Sequence, residues 1–278
     1  MYKHVFGPVP SRRLGVSLGV DLVKPKSCNM NCVFCECGAT PKLSTKRESF
    51  KDIKEVEEEL KSVLKDITPD YITFSGSGEP TLSKDLGKII KWIKANTDVK
   101  VCLITNGLLL KENEVIEEIL DVDLIIPTLN SVNNEVFHKI NRPAENIDVA
   151  MVMEGLKKLS ASSYKGKIYL ETFIIEGLTD RKEDIEKMAK FLQEIRFDKL
   201  QLNSLARRGA ESWVKPASIE CLKNVEKIFH ENGIKNIEIV KEMKEIEKKL
   251  DIKKDLLENM KAKRAYSEEE IEKIFKKI

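Results

Sequence analysis

The sequence predicts an α/β protein, a partial (β/α)6 TIM-like barrel with a helical C-terminal extension. Three observations lead there. Short β-branched runs alternate with longer amphipathic stretches over the first 210 residues, the order expected when helices cross over between parallel strands. The strand candidates are nearly continuous apolar runs, such as Val101-Cys102-Leu103-Ile104 and Leu124-Ile125-Ile126, as in strands covered on both faces. About six βα units fit before residue 210, two short of a closed eight-fold barrel.

Strands are expected at 15–22, 71–74, 99–105, 123–127, 167–175 and 199–203, with helices at 53–64, 85–95, 112–120, 149–159 and 181–195. The first strand follows Phe6-Gly7-Pro8-Val9-Pro10-Ser11-Arg12-Arg13-Leu14-Gly15, which reads as a rigid lead-in held by the fixed φ of proline. Its paired arginines would also suit an anionic substrate group or part of a cofactor pocket. The second strand runs into Ser75-Gly76-Ser77-Gly78-Glu79-Pro80, whose small residues let backbone approach a ligand. The third ends Thr105-Asn106-Gly107 and the fourth Pro127-Thr128-Leu129-Asn130, while Glu171 lies on the fifth and Asn203 closes the sixth. Barrel chemistry gathers at the C-terminal ends of strands, so these polar residues are site candidates. Taken singly, each is as readily a turn or cap residue.

Beyond Arg208 the character changes, which suggests a barrel over 1–210 and a mainly helical extension over 211–278. A helix is expected at 218–232, a short apolar run at 236–240, then a Lys/Glu-rich tail. Ser267-Glu268-Glu269-Glu270 forms a capping box, with Tyr266 and Ile271 as a hydrophobic staple.

A net charge of +2 gives the whole molecule no bulk attraction for nucleic acid. No apolar run approaches the roughly 18 residues that span a bilayer, and the N-terminus lacks the apolar region of a signal peptide. A reducing cytoplasm is the expected location.

Cys28, Cys32 and Cys35, spaced C-x₃-C-x₂-C, carry the chemistry. Three thiolates can hold three irons of a [4Fe–4S] cube and leave the fourth without a protein ligand, whereas electron-transfer clusters normally use four. A zinc site would need a fourth Cys or His; Cys37 offers one, but there is no second C-x₂-C pair. Six cysteines in 278 residues are sparse for a disulfide framework. Cys102 lies in an apolar strand, Cys221 stands alone in a helical stretch, and His4, His138 and His230 fall in no ligand spacing.

The stretch Ser27-Cys28-Asn29-Met30-Asn31-Cys32-Val33-Phe34-Cys35 resembles the signature of the radical S-adenosylmethionine (radical SAM) superfamily. The resemblance implies a partial barrel, a [4Fe–4S] cluster and SAM chelated to the open iron. It also implies reductive cleavage to a 5′-deoxyadenosyl radical, with a flavodoxin- or ferredoxin-type electron donor. Ser77-Gly78-Glu79-Pro80 is similar to the superfamily's Gly-Gly-Glu-Pro motif, which binds the SAM amino group; Ser77 replaces its first glycine. On that reading Gly76, Ser77, Gly78 and Glu79 meet the amine. Asn106, Thr128, Asn130, Glu171 and Asn203 line the cofactor, and Phe34 flanks adenine. The N-terminal run, through Gly19-Val20-Asp21-Leu22, resembles a subgroup often placed with wybutosine-biosynthesis enzymes.

Two substrate classes follow. One is RNA, especially tRNA, to which Lys261, Lys263 and Arg264 between two tail helices would contribute. The other is a protein or peptide, as for glycyl-radical-type activating enzymes and peptide maturases. A non-enzymatic iron–sulfur regulator or scaffold is the third reading, and a helical cover that closes the open barrel edge is the alternative role for the tail.

Overall fold

The computed structural model describes residues 2–240, together with Leu257, Glu258, Glu268, Ile271, Glu272 and Phe275. Lys261, Lys263, Arg264 and, of the capping box and staple, Tyr266, Ser267, Glu269 and Glu270 lie outside the described residues.

One eight-stranded sheet runs in chain order: β1 (Val5–Ser11), β2 (Gly15–Val20), β3 (Tyr71–Phe74), β4 (Lys100–Thr105), β5 (Leu124–Pro127), β6 (Lys167–Phe173), β7 (Lys199–Asn203) and β8 (Ile237–Ile239). β1 is antiparallel to β2, and every later neighbouring pair is parallel. This is an open TIM-like barrel whose parallel order never reverses. The six expected strands are β2 to β7.

Two strands extend the expected set. The proline-rich lead-in is itself β1. Pro8 and Pro10 lack the N–H of a central strand, and β1 stands at the sheet edge, where that lack is tolerated. At the other edge β8 pairs with β7, Leu202 opposite Ile239. The sheet therefore continues across residue 210 without a break.

Seven helices flank the strands among the described residues: α1 (Ile53–Leu64), α2 (Leu86–Asn96), α3 (Asn113–Glu118), α4 (Asn134–Asn141), α5 (Val149–Ala161), α6 (Lys182–Leu192) and α7 (Ile219–Glu231). α1 shows why they form. Asp52 caps it by accepting from the Lys54 N–H at 2.9 Å, and Val56, Leu60 and Val63 bury one face. The sequence reading lacked α4, which Asn133 caps and which buries Val136, Phe137 and Ile140.

Register sets the site. Val20 pairs with Phe74, Phe74 with Leu103, Thr105 with Pro127, and Phe173 with Asn203. The strands thus end at one rim of the barrel. An isolated bridge between Thr128 and Glu171 carries the β5–β6 pairing onward to that rim.

Candidate active site: the cysteine loop and its rim

The cysteine loop leaves β2 and is moored to the end of α4. Val33 N–H reaches the Ile140 carbonyl at 2.9 Å, Asn31 N–H reaches those of Asn141 and Arg142 at 3.0 Å, and Ala144 N–H reaches Asn29 at 3.0 Å. Met30 and Val33 anchor it in the core. Between these pins the chain turns tightly, with Cys35 N–H on the Cys32 carbonyl at 3.1 Å and Gly38 N–H on that of Cys35 at 2.9 Å.

Amide donors point at two of the three sulfurs. Asn141 Nδ2 lies 3.3 Å from Cys32 Sγ, and Asn106 Nδ2 lies 3.7 Å from Cys28 Sγ while also donating to Asn29 Oδ1 at 2.6 Å. None of the six cysteines is in a disulfide. Burial pushes the Cys28 and Cys32 thiols up to about 12, and the Glu79 carboxylate adds to the effect at Cys28. Cys35 goes the other way. A hydrogen bond from the Cys37 side chain lowers it, outweighing its own burial.

The loop has the chemistry to take an iron–sulfur cluster. Asn29 Nδ2 and Lys26 Nζ are buried donors with no partner among the described residues, one inside the cysteine motif and one just before it. Buried donors need acceptors, which cluster sulfur and the SAM carboxylate would supply. Among the described residues no three His, Cys, Asp or Glu converge as they would around a single metal ion. Thiolates that each bind a separate iron of a cube ring the cluster at wider spacing than the ligands of one ion.

The turn after β3 lies directly against this loop. Gly76 has φ +147°, and a Cβ there would meet Asp21 Cγ at 2.6 Å; a Cβ on Gly78 would meet the Ser27 carbonyl oxygen at 2.1 Å. Lys26 N–H donates to the Ser77 carbonyl and Glu79 N–H to that of Ser27, both at 2.9 Å. Ser77, at the place of the motif's first glycine, spends its hydroxyl on Asp21 Oδ2 at 2.7 Å. Cys37 Sγ lies 3.0 Å from the Gly76 carbonyl oxygen.

Glu79 differs from expectation. Its side chain is buried, and four protein donors already use it. Oε1 accepts from Thr81 N–H at 3.1 Å, Thr81 Oγ1 at 2.7 Å and Thr105 Oγ1 at 2.6 Å; Oε2 accepts from Asn106 N–H at 2.8 Å. The carboxylate therefore ties the end of β3 to the end of β4. Burial lifts its pKa, against the pull of those bonds.

The remaining predicted residues divide. Asn106 stands beside Cys28. Asn130 is one step removed: its Oδ1 accepts from Phe173 N–H at 2.8 Å, and its Nδ2 lies 3.4 Å from Asn141 Oδ1. Phe34 stacks on Phe173, with centroids 4.2 Å apart and planes inclined by 13°. Glu171 and Asn203 bond to each other at 3.0 Å, and Glu171 also pairs with Arg13. Sequence reasoning missed Asn141, Asn29, Lys26 and Asp21. Asn29 and Asp21 stood inside the quoted motifs without a role of their own, and Asn141 could have been found through the Asn133 cap that opens its helix.

An open parallel barrel with three cysteines in the loop after its first parallel strand defines a class of enzymes that work at an incompletely ligated cluster. This chain belongs to the radical SAM superfamily, whose family model matches residues 23–192. It is an enzyme whose cofactors are a [4Fe–4S] cluster and S-adenosylmethionine.

It is 35% identical over 229 residues to UPF0026 protein MJ1312 of Methanocaldococcus jannaschii, covering 81% of this chain and 71% of that one. It is 39% identical over 231 residues to a protein of Brachyspira hyodysenteriae named GTPase Obg, covering 83% of this chain. There it spans about a third of the relative's length, 34%. Among solved structures, TYW1 with a lysine–pyruvate adduct bound superposes with a TM-score of 0.59 at 19% identity, covering 78% of this chain and 73% of that one. No helix among the described residues is long and apolar enough to cross a membrane.

Proposed function

We propose that Cys28, Cys32 and Cys35 hold one [4Fe–4S] cluster and that the enzyme acts on RNA, with tRNA the leading class. The observation that carries the cluster assignment is the pair of amide donors, from Asn106 and Asn141, aimed at the Cys28 and Cys32 sulfurs. When bound, the cluster and SAM supply a 5′-deoxyadenosyl radical that abstracts hydrogen from a carbon of the substrate, the electron coming from a flavodoxin- or ferredoxin-type donor.

The chain's own residues hold and orient. Gly76 and Gly78 keep backbone close to the amine, Glu79 fixes that turn to β4, and Phe34 on Phe173 closes the flank beside adenine. Thr128 and Glu171, bridged across β5 and β6, stand with Asn203 as the polar groups for ribose or the methionine carboxylate. Asn130 serves behind them, holding β6 and α4.

RNA is favoured over peptide by the loop after β7. Trp213 there is 45% exposed, and Arg208 and Lys215 of the same loop are exposed too. The loop rests on the cysteine loop, with Glu211 N–H on the Val33 carbonyl at 3.0 Å and Arg207 paired with Glu36 at 3.3 Å. An exposed indole in a loop that also carries basic residues suits the stacking of a base.

Anaerobically reconstituted protein should hold about four irons and, once reduced, convert SAM to methionine and 5′-deoxyadenosine. Absence of that cleavage would leave the regulator reading. Trp213→Ala should weaken RNA binding roughly five- to a hundredfold. Unchanged RNA affinity, or binding of peptide alone, would return the substrate to the peptide class.

A further inference from the structure

The ammonium of Lys26, just ahead of Cys28, is buried, with neither a hydrogen-bond partner nor an ion pair among the described residues. It lies against the turn at 35–38. A Cβ built on Gly38 would stand 3.3 Å from Lys26 Nζ, and Gly38 N–H holds the Cys35 carbonyl at 2.9 Å. One side chain thus joins the start of the cysteine loop to its end.

The backbone beneath it is strained. Lys26 has φ +65°, in the left-handed region that lysine rarely adopts. Its N–H is fixed on the Ser77 carbonyl at 2.9 Å, and the next carbonyl, of Ser27, accepts from Glu79 N–H at 2.9 Å. The carboxylates of the adjoining turns are committed elsewhere. Asp21 accepts from Ser77 and Val23, Glu79 from Thr81, Thr105 and Asn106, and Glu36 pairs with Arg207.

A buried cation without a counter-charge is costly, and strained backbone persists where the surroundings enforce it, above all at functional sites. A [4Fe–4S] cluster on three thiolates is an anion, and reduction makes it more negative. Charge around a cluster is one of the levers that set its potential.

We propose that Lys26 poises the cluster: its fixed positive charge, held against the turn at 35–38, favours the reduced form. The cluster gains one electron and the flavodoxin- or ferredoxin-type donor loses one, with no bond or proton change at Lys26. This rests on the reading of Cys28, Cys32 and Cys35 as the cluster ligands.

The test is a mediated redox titration of reconstituted protein without SAM, with iron and sulfide measured on every sample. Lys26→Met removes the charge at similar length, Lys26→Gln keeps a donor without the charge, and Lys26→Arg keeps the charge. The Met and Gln variants should both shift negative, the ratio of reduced to oxidised cluster at the wild-type midpoint falling about tenfold, or about 59 mV for one electron. Lys26→Arg should stay near wild type. Either neutral variant that loads iron suffices for the reading. A wild-type potential in Lys26→Gln overturns the charge role and leaves a hydrogen bond in its place, and an equal shift in Lys26→Arg overturns it too. Unchanged potentials combined with weakened SAM binding would move Lys26 to the SAM carboxylate, which also overturns it. If neither neutral variant loads iron while wild type does, the ammonium builds the site and does not poise it. Wild-type protein that loads no iron fails the cluster reading and this role together, whereas a loaded wild type with no shift in its variants fails this role alone.

Discussion

The side-chain amide of Asn141 donates to the Cys32 sulfur at 3.3 Å across 109 residues of chain. It comes from the last residue of α4, the helix whose final carbonyls also hold the backbone of the cysteine loop. One helix end thus fixes both the position of Cys32, a proposed ligand, and the hydrogen bonding of its sulfur.

Asn141→Ala should therefore keep its iron but shift the cluster to a more negative reduction potential, since hydrogen bonds to sulfur favour the reduced, more negative state. Lost bonding to Cys32 and Asn130 should also cost roughly 1–3 kcal/mol of stability. Spectroelectrochemical titration checks the first effect and urea unfolding the second. An unchanged potential would mean that the amide does not act on the cluster.

The iron-free protein should react unevenly with iodoacetamide. Cys28 and Cys32 sit near 12, about three units above the ordinary 9.0, so each should present roughly a thousandfold less thiolate than a free cysteine. Cys35, lowered by Cys37, should be alkylated first. Cys37→Ala should slow Cys35 while leaving iron uptake on reconstitution intact. Peptide mapping over time reads the order, and faster labelling of Cys32 than of Cys35 would contradict it.

Gly78→Ala places a methyl group on the Ser27 carbonyl, which is backbone and has nowhere to move. The cost should be about 1–3 kcal/mol, concentrated where the turn after β3 meets the cysteine loop. SAM affinity, followed through its effect on the spectrum of the reduced cluster, should fall more than iron content does. Equal losses would indicate general unfolding instead.

Glu79 gives a pH dependence whose sign is fixed. Its carboxyl is raised above the ordinary 4.5 by burial, so the folded chain binds that proton more tightly than the unfolded one. Its contribution is most favourable below 4.5 and is lost as pH rises through the raised value. Glu79→Gln removes this titration, so its stability relative to wild type should improve as pH rises from 4.5 across that window. Glu79→Ala should lose roughly 3 kcal/mol or more at every pH, with Thr81, Thr105 and Asn106 left short of an acceptor. Urea midpoints over a pH series separate the two.

What the sequence made legible was local. The parallel strands announce themselves as apolar runs, and the cysteine spacing and the turn before Pro80 are contiguous words. β1 was hidden because its prolines look like a strand breaker until its edge position is known. α4 was hidden by its eight-residue length. Glu79 was recognised as a site residue but not as the knot between β3 and β4, since its donors come from a separate strand end. Nor does any local pattern connect Arg13 with Glu171, 158 residues away.

The backbone of Gly209 lies against Phe34, and Glu211 is bonded to Val33. The segment that carries Trp213 is therefore built on top of the cysteine loop, as a roof rests on its wall. On the proposed reading, the strip of chain that would take the iron also bears the indole that would meet the substrate, so reactive centre and landing ledge share one foundation.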